Sequence, residues 1–167
     1  MDAETKKTAL RMIPYGLYVL TAEAPDGAIS AATVNWVTQT AFAPPLVVVG
    51  IKTDSQSYGT VKSAKAFALN MLGKGQQKMA FAFFKPTVVE KGTISGEPYR
   101  RGSTGAPILT NAPAAVECRL VDLVERGDHH IVVGEVVEAH LNKPVDGRPD
   151  AAILEMKELG EKVFYGG

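Results

Sequence analysis

The chain has 167 residues, of which 46% are hydrophobic and 22% charged, so it is long and apolar enough to form one globular domain. Its 18 basic and 18 acidic residues leave a formal net charge of zero, which excludes a chain-wide positive field for binding nucleic acid or an acidic membrane. Any anion-binding site must therefore be local.

The cysteine content and the apolar runs predict the compartment. The single cysteine, Cys118, cannot form an internal disulfide and is typical of a reducing environment. The charged residues 1–11 lack the apolar core of a signal peptide, and the longest apolar runs are far shorter than the ~20 residues of a membrane-spanning helix. We therefore expect a cytoplasmic protein with no membrane segment. Because no repeat or linker divides the chain, we expect a single domain over residues 1–167.

Strand-like segments dominate the first third of the chain. Aromatic and β-branched residues indicate strands, whereas proline and glycine mark their ends. In chain order, the pattern predicts a helix over Glu4–Arg11 that ends before Pro14, a strand over Tyr15–Glu23, a turn at Pro25-Asp26-Gly27, a strand over Ile29–Thr40, a break at Pro44-Pro45 and a strand over Leu46–Lys52.

The rest of the chain adds short helices to further strands. The pattern predicts a helix over Ser57–Lys65 with Ser57 as its N-cap, a strand over Phe67–Leu72, a helix over Gln76–Phe84, a turn-rich excursion over Lys85–Pro107, strands over Ala114–Glu125 and His129–Leu141, and a helix over Asp150–Leu159 with Pro149 in its first turn. Many strands without regular alternation with helices favour an antiparallel barrel with helical additions over a doubly wound sheet.

Several kinds of site lack their signature in this sequence. It has no glycine-rich dinucleotide fingerprint, no phosphate-binding P-loop and no nucleophile elbow. His129 and His130 are adjacent on a predicted strand, so their side chains point to opposite faces and are poorly placed to bind one metal ion. We therefore expect no metal site.

Two segments are suited to a ligand that carries a phosphate. Residues 32–40 (ATVNWVTQT) contain hydroxyl, amide and aromatic side chains where a purely structural strand would favour valine and isoleucine. Residues 52–57 (KTDSQS) follow a strand and lead into a helix, where free amides, hydroxyls and a lysine can bind an anion. Taken alone, the second segment also fits a polar turn with a serine cap, and Trp36 alone fits a core or an interface.

The turn at Gly127-Asp128 places His129 at the start of a strand. A histidine there can donate a proton or contact a nicotinamide, although a histidine without a role in a site has the same appearance. Cys118 alternates with Val116 and Leu120 on one strand face, which predicts a buried packing residue without a redox role.

Together these segments resemble the flavin reductase-like, FMN-binding split-barrel family, in particular the reductase module of diflavin proteins and its stand-alone relatives. The ending KVFYGG looks like the closing strand of that family. The other matching stretches run in the order of the family from residue 15 to about residue 140: YGLYVLTAE, ATVNWVTQTAFAPPLVVVGIKTDSQSY, FALNML, FFKP, TGAPILTNAPAAVECRL and GDHHIVVGEV.

The resemblance implies a homodimeric Greek-key split β-barrel that binds FMN at its rim and takes electrons from NADH or NADPH. Carried over by position, it implies that the flavin ring and ribityl chain contact Thr33, Val34, Asn35 and Trp36, that the phosphate binds to Lys52, Thr53, Ser55 and Ser57, that Phe84 and Lys85 cover the flavin, and that His129 faces the nicotinamide. Thr53 stands where many members have an arginine and Ala41 where serine is common. The positive charge at the phosphate would therefore come from Lys52 or Lys85.

The function that follows from this resemblance is an NAD(P)H-dependent flavin oxidoreductase. Two alternatives stay open on the sequence alone. One is an electron-transfer protein that keeps its FMN and receives electrons from a redox protein partner, and the other is a non-catalytic split barrel that only binds a ligand or an assembly partner.

Overall fold

Eleven strands and a few short helices make up the chain in a computed structural model that describes residues 1–167. The helices are α1 (Ala3–Arg11), α2 (Gln56–Ala64), α3 (Gln77–Ala82) and α4 (Pro149–Ala152), followed by a 3-10 helix (Met156–Leu159). The strands are β1 (Tyr18–Glu23), β2 (Ile29–Val34), β3 (Val37–Phe42), β4 (Pro45–Lys52), β5 (Ala66–Met71), β6 (Val89–Glu90), β7 (Thr93–Ile94), β8 (Glu97–Arg101), β9 (Pro107–Leu109), β10 (Ala114–Val124) and β11 (His129–Leu141).

Seven strands form a sheet that closes on itself. Their order is β2-β1-β5-β10-β11-β4-β3, all antiparallel, so β2 and β3 lie at opposite edges although they follow each other in the chain. Only Asn35 and Trp36 connect them, and three peptide steps span at most about 11 Å. The two edges must therefore meet, which makes the sheet a barrel. This confirms the predicted mainly β, antiparallel split barrel with short helices.

The prediction of one strand over Ile29–Thr40 is wrong, because the segment forms two strands. In β2, Thr33 lies opposite Val19 of β1, whereas Val37 of β3 lies opposite Val49 of β4. The residues between them still suit a strand, so composition gives no sign of the break. What changes at Asn35 is the pairing partner, which a single strand cannot show.

The excursion over Lys85–Pro107 is more ordered than its turn-rich composition predicts. It contains β6, β7 and β8, which continue into β9 as a second, four-stranded antiparallel sheet. Turns with glycine at positive φ, such as Gly92 and Gly96, separate the strands. Such short strands are stable only when another surface supports them, and here the barrel wall does so.

The C-terminal prediction needs two corrections. The helix predicted over Asp150–Leu159 is interrupted after Ala152 because Leu154 is hydrogen-bonded to two other segments: its amide donates to the carbonyl of Leu72, and its carbonyl accepts from the amide of Leu17. These long-range bonds outweigh local helix propensity. The ending KVFYGG forms no strand either, since the main chain of Lys162–Gly167 pairs with no neighbouring strand.

Two large apolar clusters, of 10 and 13 buried residues, hold the fold together. One fills the barrel and includes Phe67 of β5 and Val132 of β11, with Tyr58 and Val61 of α2 closing one end. Cys118 is fully buried in this cluster, and burial raises the pKa of its thiol to about 12, as expected for an inert packing residue. The other cluster lies outside the barrel, among α3, the small sheet and the segment around Leu154 and Met156.

A buried carboxylate fastens the small sheet to the barrel. Glu117 of β10 is fully buried and accepts hydrogen bonds from the amides and hydroxyls of Ser103 and Thr104 and from Nε2 of His140. Burial alone would raise the pKa of this carboxyl, but the bonds from Thr104, His140 and Ser103 outweigh it and hold the pKa at about 2. Gly102 lies so close that a Cβ there would overlap the carboxylate.

No helix of the protein is both long and apolar enough to cross a lipid bilayer.

Candidate functional site

A cavity of about 240 Å³ lies beside the ends of β2 and β4, the first turn of α2 and the end of α3. Hydrophobic side chains form about half of its wall, among them Leu17, Phe83 and Met156. Of the eleven residues predicted for the site, the structure brings eight together in this wall: Thr33, Val34, Asn35, Lys52, Ser55, Ser57, Phe84 and His129.

One end of the cavity presents hydrogen-bond donors. Ser55, and not Ser57 as predicted, caps α2, because its hydroxyl accepts from the amide of Tyr58. This leaves Ser57 almost fully buried, with a hydroxyl that bonds to no other group of the protein. The main-chain amides of Gln56 and Ser57 likewise have no acceptor within the chain. Free donors at the start of a nine-residue helix suit an anion such as a phosphate.

Lys52 is the cation at this end, and its charge is partly compensated. Its ammonium group lies 3.1 Å from the carboxylate of Asp54, and both side chains are more than half exposed. The ammonium group is therefore solvated and can turn toward a ligand, but it must share its charge with Asp54. Nothing else with a positive charge lines the cavity.

The middle of the cavity is fixed by hydrogen bonds within the protein. The hydroxyl of Thr33 donates to the carbonyl of Ala80, which ties β2 to α3 and leaves this hydroxyl less free for a ligand. The side-chain amide of Asn35, almost fully buried, donates to the carbonyl of Tyr165. Thr33 and Asn35 thus position the walls, while Val34 and Phe83 supply apolar surface for a flat ring.

His129 closes the opposite side together with two aromatic rings. Its Nδ1 lies 3.0 Å from the carboxylate of Asp128 and its Nε2 lies 2.7 Å from the hydroxyl of Tyr165. The rings of Trp36 and Tyr165 are centred 4.6 Å and 5.8 Å from the imidazole. His130 turns the other way, as predicted for adjacent strand positions, and its Nδ1 lies 2.6 Å from the hydroxyl of Tyr58.

The charges around His129 define its tautomer. In the neutral imidazole Nδ1 carries the proton, because the Asp128 carboxylate can only accept, and Nε2 can then accept from the Tyr165 hydroxyl. The hydrogen bond from His129 holds the pKa of Asp128 below its usual value. Burial raises the pKa of the Tyr165 phenol; Lys52 opposes that shift and Asp128 adds to it. The phenol is therefore protonated at neutral pH and able to donate.

Three predicted residues lie outside the cavity wall. Trp36 faces a neighbouring groove of about 1080 Å³, since the turn from β2 to β3 directs it onto Gly50, where a Cβ would come within 3.1 Å of its ring. The amide of Thr53 donates to the carbonyl of Asp128, which fixes the loop, but its side chain is not part of the wall. Lys85 is exposed beyond the end of α3 and does not line the cavity.

Sequence reasoning missed two features of the site. Gly50 lines both the cavity and the groove, and a glycine inside an apolar strand is a known sign of close approach by another group. Tyr165 lines the cavity from the C-terminal segment, where the motif KVFYGG was interpreted only as a strand. No local pattern indicates that this tyrosine reaches His129.

Comparison with known proteins finds similar chains in one family. Residues 10–156 match the family model described as flavin reductase like domain. A flavin reductase of Pseudomonas putida is 31% identical over 154 residues, which cover 92% of this chain and 86% of that protein. Two other curated relatives, both from Rhizobium meliloti, are longer proteins, and the chain spans only 57% and 42% of their lengths.

Two solved structures are similar over most of the chain. The NADH:FAD oxidoreductase SgcE6 of Streptomyces globisporus C-1027 has a TM-score of 0.68 at 30% identity, covering 77% of this chain and 76% of that one. An FMN-binding protein from Thermus thermophilus, crystallised with 1-cyclohex-2-enone, has a TM-score of 0.69 at 26% identity, covering 78% of this chain and 72% of that one.

Proposed function

The chain belongs to the flavin reductase-like domain family, and we propose that it is an NAD(P)H-dependent flavin oxidoreductase that binds FMN in the cavity beside α2. The observation that carries the proposal is the pairing, in one cavity, of free donors at the start of α2 with an apolar wall and His129. The names of the flavin reductase of Pseudomonas putida and of the two similar structures support the reaction class.

The residues present fit a flavin mononucleotide. The buried Ser57 hydroxyl and the free amides of α2 suit the phosphate, and Ser55 and Lys52 lie beside them. Val34 and Phe84 are suited to the ring system, with Asn35 close by. This donor set favours FMN over riboflavin, which has no phosphate for it to bind. Thr53, Trp36 and Lys85 have no direct contact in this proposal, because their side chains lie outside the cavity wall.

The chain's own contribution is binding and orientation. The redox chemistry would be supplied by the flavin that these residues hold. Asp128 orients His129, whose Nε2 lies against the Tyr165 hydroxyl at the cavity wall. Phe83 and Phe84 shield one side of the cavity from water. No nucleophile or metal is needed for these tasks.

We propose further that two copies associate near the mouth of this cavity and that residues 1–167 act as one domain. Four side chains on α3 and in the segment that follows it are apolar and 41–51% exposed: Phe81, Phe84, Val88 and Val89. Phe84 belongs to the cavity wall as well, so a partner covering this patch would also cover the flavin.

The outer cluster supports a single domain, since it joins Leu17 near one end of the chain to Met156 near the other. The buried, unpaired Cys118 supports a reducing, cytoplasmic compartment.

The visible spectrum of the purified protein tests the proposal. We expect a flavin spectrum, or binding of added FMN in preference to riboflavin, and bleaching on anaerobic addition of NADH or NADPH. A flavin spectrum that neither nucleotide bleaches would favour the electron-transfer protein. A colourless protein that does not bind FMN would favour the non-catalytic module.

A further inference from the structure

The C-terminal segment Val163–Gly167 forms part of the wall on the His129 side of the cavity. Val163 packs against the outer apolar cluster, which anchors the start of the segment. Beyond it, hydrogen bonds and ring contacts hold the segment. The side-chain amide of Asn35 donates to the Tyr165 carbonyl, Nε of Arg11 donates to the Gly166 carbonyl, the Arg11 guanidinium lies 4.1 Å from the centre of the Phe164 ring, and the Tyr165 hydroxyl bonds to His129.

The segment separates two cavities. Tyr165 lines the cavity of about 240 Å³, and the next residue, Gly166, lines the groove of about 1080 Å³. Gly50 and His129 line both, so the two spaces meet at these residues. A cavity of 240 Å³ lies below the roughly 300–1,000 Å³ typical of sites that bury a small ligand, and the proposed reaction requires a flavin and a nicotinamide together. Displacing Tyr165 would join the cavity to the groove.

The hydrogen bonding of His129 also indicates that Tyr165 must move before a nucleotide binds. With Nδ1 donating to Asp128, Nε2 is the one acceptor that the imidazole can offer to a ligand. The Tyr165 hydroxyl now occupies it, at 2.7 Å. A nicotinamide carboxamide, whose NH₂ group is a donor, could bond to Nε2 only after that hydroxyl has left. The phenol and the carboxamide therefore compete for one atom.

We propose that residues 163–167 act as a strap, and that Tyr165 sets the affinity for the pyridine nucleotide by competing with it for Nε2 of His129. The proposal rests on the proposed flavin reductase function. Tyr165 is thus a specificity-determining residue on the nucleotide side, and it has no part in binding the flavin phosphate, which lies at the α2 end.

The decisive variant is Tyr165→Phe, which keeps the ring and removes only the hydroxyl. Without that hydrogen bond to break, the apparent dissociation constant for NADH or NADPH should fall about three- to tenfold. This constant comes from the dependence of the rate of flavin reduction on nucleotide concentration. The FMN affinity is measured in parallel, so that an effect on flavin binding is separated from an effect on the nucleotide. Tyr58→Phe is the matched control, because it removes the other tyrosine–histidine bond, to His130 on the opposite face.

A second readout needs neither flavin nor nucleotide. Trp36 is the only tryptophan, and its ring centre lies 5.4 Å from that of Tyr165. In the flavin-free protein, Tyr165→Ala should release the strap and increase quenching of Trp36 fluorescence by acrylamide, whereas Tyr58→Phe should not.

The outcomes separate the two proposals. An unchanged or weaker nucleotide affinity in Tyr165→Phe would overturn the strap. If neither nucleotide reduces the flavin in wild type or in any variant, the reductase function is wrong, and with it the competition for Nε2. Unchanged Trp36 quenching in Tyr165→Ala would show that Tyr165 does not hold the segment in place.

Discussion

The ammonium group of Lys52 lies 3.1 Å from the carboxylate of Asp54, at the end of the cavity where α2 begins. This contact pairs the only cation of the cavity wall with an anion two residues away. Because both groups are largely exposed, the pair contributes little to folding, and its importance lies in ligand binding. The Asp54 carboxylate therefore reduces the positive charge that would attract a phosphate. A variant without this carboxylate would present more positive charge at that end of the cavity.

The first prediction concerns Lys52 itself. Lys52→Ala should weaken FMN binding by about 1.5–3 kcal/mol, or about tenfold to a hundredfold, since a hydrogen bond to a charged group is lost. Riboflavin, which lacks the phosphate, should bind equally well to both proteins. Fluorescence titration measures both affinities, and Lys85→Ala serves as the control because Lys85 does not line the cavity. An unchanged FMN affinity in Lys52→Ala would assign the phosphate to the amides of α2 alone.

The second prediction concerns Asp54, whose replacement should change FMN affinity in the opposite direction. Asp54→Asn should tighten FMN binding about two- to fivefold, because the exposed pair that competes with the phosphate is removed. Raising the ionic strength should shrink this gain, since salt screens exposed charges. Asp146→Asn, at an exposed aspartate without a hydrogen-bond partner in the chain, is the matched control. Equal FMN affinities for Asp54→Asn and wild type at low salt would show that Asp54 does not face the bound phosphate.

Much of the barrel could be predicted because each strand carries its own signal. Leu46–Lys52 and His129–Leu141 are apolar or alternating runs bounded by turn residues, and both appear as strands within one residue of the predicted bounds. The break at Asn35 could not be predicted, since it depends on which strand pairs with which. The same holds for Leu154, whose extended backbone is fixed by Leu17 and Leu72 far away in the chain.

The site shows the same division between local and long-range information. The polar run from Lys52 to Ser57 stands out in an apolar sequence, and the structure places half of its six residues in the cavity wall. Tyr165 did not stand out, because its contact with His129 joins residues 36 positions apart through a segment without regular structure. The sequence predicts that Trp36 contacts the flavin, but the change of partner at Asn35 turns its side chain toward the groove.

The third prediction separates His129 from His130. His129→Ala should lower the limiting rate of flavin reduction by about tenfold to a hundredfold, since a group that orients the nicotinamide is lost, and should leave FMN affinity nearly unchanged. His130→Ala should change neither, because His130 bonds to Tyr58 on the other face. Anaerobic stopped-flow absorbance near the flavin band at about 450 nm gives the limiting rate. Equal limiting rates for His129→Ala and wild type would remove His129 from the nucleotide site.

The fourth prediction concerns assembly. Light scattering should give about twice the mass of the 17.8 kDa chain. Val88→Glu should shift the equilibrium toward the monomer, because it places a charge in the exposed apolar patch near the cavity mouth. Val121→Glu changes a valine of similar exposure on β10 and is the control. A monomer at all concentrations in wild type would contradict the proposed dimer, and a Val88→Glu dimer would place its interface elsewhere.

The last prediction uses the buried carboxylate of Glu117. Its pKa is about 2 in the folded protein, against 4.5 for an unperturbed glutamate, because Ser103, Thr104 and His140 donate to its charged form. A group whose pKa is lowered on folding stabilises the protein fully above the unfolded value, here about 4.5, and loses that effect as the pH falls toward 2. The full contribution is roughly 3 kcal/mol for this fully buried group.

We therefore expect the free energy of unfolding to decrease between pH 4.5 and pH 2, and to decrease less in Glu117→Gln, which has no charge to lose. Near pH 6 the same variant should be the less stable protein, since an amide cannot accept all of the hydrogen bonds that the carboxylate accepts. Urea denaturation at several pH values measures both effects, and the difference between the proteins isolates Glu117 from the other acidic groups. Glu138→Gln, at an exposed position of β11, should follow wild type throughout. If Glu117→Gln and wild type lose stability in parallel across this range, the carboxylate does not fasten the small sheet to the barrel by its charge.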